Sequence, residues 1–414
     1  KDYPVKADVD GLKPGRFYYY RFKALDKVSI TGRTKTASTQ TDSTTFAVVS
    51  CSNWEFGYFS AYEKISEREV DAVVHLGDYI YEYATGGYGD TTIGRKHLPP
   101  HEIVTLQDYR TRYSQYHLDN GLRKARQNHP FITIWDDHEV ANNVYTQGAQ
   151  NHQPDKEGEF EKRKTAARQA SYEWLPIREG QKHYRSFSFG NVADLIMLDE
   201  RLEGRTKPVD SLTDPNYKSE RQTMLGKEQL DWLKQTLQQS TATWKIIGNQ
   251  VIFAEVDQSG PFPKAPRNLD SWDGFPYEQK TIADFIQASK LTNVVFVTGD
   301  THASWAFEVA DVKKYNPKTS AGAYAIEFGT TSISSSNWNE YDTDENVKKG
   351  EQQLFAANPH LKYGNARDHG YLLVTLTKEK TRAEWWYVNT LRTPASTEWL
   401  GKQMEVKQNT FTLR

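Results

Sequence analysis

Cysteine is nearly absent: the 414-residue chain contains one, Cys51, beside only three methionines. A lone cysteine forms no intrachain disulfide, so it is either a small buried hydrophobe or a thiolate with a chemical task. Scarce cysteine suits an oxidising compartment without requiring one. Long apolar runs are missing too. No stretch of about 18 such residues exists, so no transmembrane segment is expected. There is no basic excess either, and a net charge of −2 argues against nucleic acid as a partner. The chain opens at Lys1 rather than methionine, which reads as a mature or truncated product. Internal repeats, low-complexity tracts and coiled-coil heptads are not evident.

Apolar residues make up 37% of the chain and aromatics 13%, a globular composition suited to a surface-rich or secreted protein. Two regions differ in pattern, with the boundary expected at 44/45. In residues 1–44, "DGLKPG" is a turn signal, "RFYYYRFKA" a strand, and a second strand leads into "GRTKT". This region resembles the last strands of a fibronectin-III-like sandwich. Because a complete sandwich needs about 100 residues, it is expected to be a truncated remnant on the main domain.

From residue 45 to 414, short apolar runs alternate with helical stretches. The strands are "TFAVVSC", "VDAVVHLGD", "FITIWDD", "VADLIMLDE", "WKIIGNQ" and "NVVFVTGD". Helix-like segments cover 61–69, 105–116, 156–175, 227–240 and 277–290, and residues 370–389 read as a closing β-hairpin. The alternation predicts an α/β fold, a layered αββα sandwich.

Polar residues then carry the functional reading. Five of the six strands end in a potential metal ligand: Cys51, Asp78, the Asp136–Asp137 pair, the Asn249–Gln250 pair, and Asp300 with His302 just beyond. One aspartate at a strand end is usually a turn former. Five together point to a site at the carboxyl ends of the strands. In "HLGDYIYEY", Asp78 can bridge two cations, and the Tyr81 phenolate is a hard ligand suited to a trivalent ion; the alternative is a turn aspartate and a packing tyrosine. "WDDHEVANN" brings two carboxylates and His138, which can coordinate metal or protonate a leaving group. In "VTGDTHASW", Asp300 and His302 are two apart on an extended segment and share a side.

"GDYIYEY", "WDDHEVANN" and "GDTHAS", in that order after "SC.N", resemble the PhoD-type alkaline phosphatases, a branch of the calcineurin-like metallophosphoesterases. The likeness covers roughly residues 45–400, and the N-terminal strands match the end of that family's N-terminal domain. It implies a phosphoric ester hydrolase acting on small phosphate esters. Cys51, Asp78, Tyr81 and His302 would hold Fe(III), with Asp78 bridging to a Ca2+ site completed by Asp137 and Asp300, near Gln250 or Asn249. Zinc or manganese are the alternative ions. The five anionic ligands balance Fe(III) plus one Ca2+, so a second Ca2+ would make the site attractive to phosphate. Glu139, Asn142 and Asn143 are candidate outer groups.

Asp78, Asp137 and His138 are the expected catalytic residues, with His138 also meeting substrate. Arg95, in the Gly-rich loop 86–102, is an expected substrate contact. His369 stands where the family pattern carries an arginine; if that arginine positions phosphate, His369 or Arg367 would have to take its place, and substrate preference would differ. Diester hydrolysis, as phosphodiesterase or phospholipase D, is the alternative activity. The family resemblance also implies a secreted or periplasmic protein, expected to be a monomer.

Overall fold

The computed structural model describes residues 4–178, 182–394 and 396–414. Two mixed sheets lie face to face, with helices covering each outer surface. In the first, the strand Ser43–Val49 runs parallel to Ala72–His75, and that strand parallel to Phe131–Thr133. Antiparallel strands Gly370–Thr377, Lys380–Val388 and Glu398–Lys407 extend this sheet to six. The second sheet has seven strands around a parallel centre of Ala193–Met197, Trp244–Gly248, Val294–Thr298 and Ala323–Gly329.

The layering follows from alternation. Phe46 and Val48 face the second sheet, while Ala47 and Val49 face helices Ser60–Ser66 and Leu106–Tyr116. In the other sheet Val295 and Val297 point inward, whereas Val294 and Phe296 meet helices Gly226–Gln239 and Pro276–Ala288. Strands buried on both faces read as continuous apolar runs, which is why they stand out in the sequence. The architecture is the layered αββα arrangement expected.

Two helices, Asn120–Asn128 and Asp344–Ala357, are not among the helical stretches read from the sequence. Both are rich in charged and amide residues, and tertiary packing selects their faces. The hairpin Gly370–Thr377 to Lys380–Val388 forms as expected.

At the N-terminus, Phe17–Tyr20 pairs with Gly32–Lys35, and Lys23–Ala24 with Lys27–Val28, giving two small antiparallel sheets. They touch the main body through polar contacts such as Lys35 to Asp71 at 2.6 Å and Arg33 to the Asn128 carbonyl. The strand Ser43–Val49 crosses the boundary expected at 44/45 and belongs to the main sheet. Among the described residues, no helix is long and apolar enough to cross a membrane.

Candidate metal centre

The loops leaving the parallel strands meet at one edge of the two sheets. Cys51, Asp78, Asp300 and His302 adopt left-handed backbone, with φ of 59°, 56°, 62° and 63°. Each such residue costs on the order of 1–3 kcal/mol and persists only where surrounding structure dictates it. The tight reversal turns each side chain away from its strand and toward the neighbouring loop. Gly77 is required for a separate reason. At φ 107°, a Cβ there would lie 2.3 Å from the Asp136 amide nitrogen. The loops are therefore in backbone contact. Glu139 latches them, its carboxylate accepting from the amides of Asp78, Tyr79 and Asp136 at 3.0, 2.6 and 2.9 Å.

Among the described residues, three overlapping sets of ligand atoms result, each within 4.8 Å: Cys51, Asp78 and His302; Asp78, Asp137 and His138; and Asp136, Asp137 and Asp300. Asp78 and Asp137 each belong to two sets. Tyr81 joins the first, its hydroxyl donating to Asp78 Oδ2 at 2.9 Å and accepting from Ser335 Oγ at 2.6 Å. His302 Nδ1 lies 2.7 Å from the Ser336 carbonyl, which can only accept. The proton is thus on Nδ1, and the unprotonated Nε2, 3.4 Å from the Tyr81 hydroxyl, can bind a metal.

His138 is held the same way. Its Nδ1 is 2.7 Å from Glu82 Oε2, and its ring stacks on Tyr81 at 4.3 Å. Glu82 Oε1 accepts from the Asn142 amide and Asn151 Nδ2, so this buried carboxylate is fully engaged.

The electrostatics ask for cations. Burial, and then the Asp78 charge, push the Cys51 thiol and the Tyr81 phenol well above their ordinary values. Burial raises Asp78 strongly and Asp300 to about 7. A metal ion beside such groups reverses the local preference and favours their deprotonated forms. Burial opposes the charge of His138 as well, but Asp137, Glu82 and Asp78 outweigh it and raise its pKa well above the ordinary value. Among the described residues, Asp136 Oδ2 and Asp137 Oδ1 are buried without a hydrogen-bond partner. Unpaired carboxylate oxygens are costly to bury, so the donor set fits metal ions.

Several expected residues are placed elsewhere. Gln250 is buried, but its Oε1 accepts from the Glu200 amide at 3.0 Å and its Nε2 donates to the Leu198 carbonyl at 2.7 Å. Asn249 Oδ1 accepts from Trp272 at 3.2 Å, and its Nδ2 donates to the Val251 carbonyl. Both amides tie strand ends together instead of facing the cluster. Arg95 is not brought to the site: it stacks on Trp54 at 3.6 Å and pairs with Asp119 at 3.1 Å. His369 gives one nitrogen to Ser332 and the other to Glu340, at 2.8 and 3.0 Å. Glu139 likewise has no oxygen to spare, whereas Asn143 contacts the cluster by donating its amide N–H to Asp137 Oδ2 at 2.6 Å.

The structure adds residues that sequence reasoning missed. Glu82 stands in "GDYIYEY", one residue past Tyr81, and its helix-like spacing of four from Asp78 was a usable signal. Ser335 and Ser336 lie in a serine-rich loop with no motif around them. Arg201 is fully buried among Asp136, Asp270 and Asp300. It follows an apolar strand in "LIMLDER", where an arginine normally reads as a solvated end.

The family model described as PhoD-like phosphatase matches residues 46–385. The chain belongs to the PhoD-like phosphatase family. A second model, the N-terminal domain of PhoD-like phosphatases, matches residues 1–38. Alkaline phosphatase D of Bacillus subtilis (strain 168) is 36% identical over 402 residues, covering 92% of this chain and 66% of the relative. The chain thus spans slightly under two thirds of that relative's length. A solved structure of PhoD superposes with a TM-score of 0.87 at 33% identity, covering 98% of this chain and 78% of the other. That superposition extends the family relationship to the mixed α/β architecture described above.

Proposed function

We propose that this chain hydrolyses phosphate esters at a multinuclear metal centre, as an alkaline phosphatase of the D type. The overlap of three ligand sets through Asp78 and Asp137 carries the reading, because it lets neighbouring cations share carboxylates. Cys51, Asp78, Tyr81 and His302 would hold Fe(III), a set of thiolate, carboxylate, phenolate and imidazole suited to a trivalent ion. Asp137 and Asp300, with Asp78 bridging, would hold one or two Ca2+, for which oxygen ligands are preferred; zinc or manganese are alternative occupants. The bound ions would supply a bridging hydroxide for in-line attack on phosphorus and positive charge for the phosphoryl oxygens.

The remaining chemistry belongs to side chains. Glu82 keeps a proton on His138 Nδ1 and orients the ring, leaving Nε2 to donate to the leaving alkoxide. Tyr81 and Tyr83 wall the imidazole at 4.3 and 5.4 Å, which restricts its rotation. The Asn143 amide fixes one oxygen of Asp137 and so directs the other inward. Small phosphate esters are the substrates of this reading. A location outside the cytoplasm rests on family resemblance alone.

The diester alternative, as phosphodiesterase or phospholipase D, has one observation in its favour. A cavity of about 500 Å³ lined by Asn143, Gln150, Lys207 and Asp270 lies beside the cluster and offers room for a second alcohol. Elemental analysis and a visible spectrum of protein purified without chelator come first. Iron with calcium, and a charge-transfer band lost in Tyr81→Phe or Cys51→Ala, is the expected result. Aryl monoester and diester rates then choose between the two activities. Protein that binds no metal and cleaves neither ester after metal is restored would overturn the proposal.

A further inference from the structure

The side chain of Arg201, four residues beyond the strand Ala193–Met197, has no solvent exposure. A guanidinium does not give up its charge on burial, so its donors must all find acceptors. Nε donates to Asp136 Oδ1 at 2.5 Å, Nη1 to Asp270 Oδ2 at 2.6 Å, and Nη2 to Asp300 Oδ1 at 3.1 Å. Asp137 Oδ1 is 3.8 Å from Nη2. A planar fork can reach carboxylates in three directions at once, which a lysine ammonium on a single stem does less well. Asp270 is also held by Arg205 through its other oxygen, at 2.5 Å, so that pair is balanced by itself. Three acids remain for Arg201: Asp136, Asp137 and Asp300, whose ligand atoms lie within 4.8 Å of one another.

We propose that Arg201 is a positioning residue that sets how many divalent cations this acidic corner takes. The inference rests on the cluster being a metal centre. Fully ionised, as metal ligands are, the three carboxylates carry −3, more than one divalent ion neutralises. With Arg201 the sum is −3 + 1 = −2, matching a single divalent cation. The guanidinium also occupies Asp136 Oδ1 and Asp300 Oδ1, so a metal meets only the opposite oxygens of those residues, together with Asp137. Arg201 thus acts through the ligands and touches no substrate.

Calcium binding to folded protein, measured by equilibrium dialysis and elemental analysis, tests this without relying on turnover. In Arg201→Gln the calcium content should rise by about one equivalent per chain, because an unpaired buried carboxylate draws in a replacement cation. Its melting temperature should become strongly dependent on calcium concentration. The double variant Arg201→Gln with Asp136→Asn restores the −2 sum and should return to the wild-type stoichiometry. Arg201→Lys should keep that stoichiometry but weaken calcium binding by about tenfold through lost orientation. A folded Arg201→Gln protein with wild-type stoichiometry and affinity overturns the proposal, and so does a double variant that misfolds or keeps the altered stoichiometry. Wild-type protein that binds no metal would instead remove the metal-centre reading on which the inference rests.

Discussion

Polar residues end the strands of both sheets, yet they meet two different fates. From the six-stranded sheet, Cys51, Asp78 and Asp137 turn into the cluster. From the seven-stranded sheet, Glu200, Asn249 and Gln250 turn back and tie neighbouring strands: Glu200 accepts from the amides of Gln250 and Val251, and Gln250 bonds the Glu200 amide and the Leu198 carbonyl. From that sheet the loop after Val294–Thr298 carries Asp300 and His302 into the cluster, and Arg201 reaches it from beyond Ala193–Met197. Backbone conformation separates most of the two groups, Asp137 being the exception among the site residues. Cys51, Asp78, Asp300 and His302 are left-handed, whereas Asn249 and Gln250 are not. A strand-end polar residue therefore serves the site where its ligand atoms converge with those from neighbouring loops. Where an ordinary turn leaves nearby backbone groups to satisfy, the same residue becomes structural.

The hardest test of this contrast is Asp78→Asn, which removes the carboxylate shared by two ligand sets. It should release metal from both and lower phosphatase turnover by about a thousandfold or more, as the activated nucleophile is lost. Metal content measured beside activity checks it; full metal retention would break the comparison. Next is His138→Gln, which should keep the metals and reduce kcat for alkyl phosphates by about a hundredfold. Aryl phosphates with good leaving groups should suffer much less, so the ratio of the two rates is the readout.

A variant on the other side sharpens the contrast. Gln250→Leu leaves the Glu200 amide and the Leu198 carbonyl unpaired and should destabilise the protein by about 1–3 kcal/mol in urea unfolding. Its metal content should equal that of wild type. Metal loss at unchanged stability would instead make Gln250 a ligand.

The smallest effect concerns His75, which ends the strand Ala72–His75 yet stays out of the cluster. Burial lowers its pKa to about 3. Because the folded value is depressed, its stability contribution is complete above the unfolded value near 6.5 and is lost as pH falls toward 3. Relative to His75→Gln, wild type should lose about 2 kcal/mol between pH 7 and pH 5, at about 1.4 kcal/mol per unit below 6.5. Paired urea titrations at the two pH values measure this difference, and a pH-independent gap would mean that His75 does not titrate this way.

Much of this protein is legible in the chain because the signals are local. A run such as Phe46–Val49 is apolar on both faces, and that alone marks a strand buried between layers. Asp78, Asp137 and His302 stand out because they recur together past several such runs, which turn formation alone does not explain. The helix Asp344–Ala357 was less visible, since its apolar positions are sparse and become a core face only once Val347 and Leu354 meet the second sheet's helical layer.

What the sequence determined by itself is the order of strands and helices and the types of donor atom at the strand ends, because propensity, alternation and ligand chemistry are properties of short segments. Only the tertiary structure decided which donors converge. Arg201 meets Asp136, Asp270 and Asp300 across 65, 69 and 99 residues of sequence. Arg95, flanked by a promising loop, is claimed by Trp54 and Asp119. Whether a charged group is paired in the interior or left to bind a ligand depends on partners brought together by packing, and no local pattern encodes that competition.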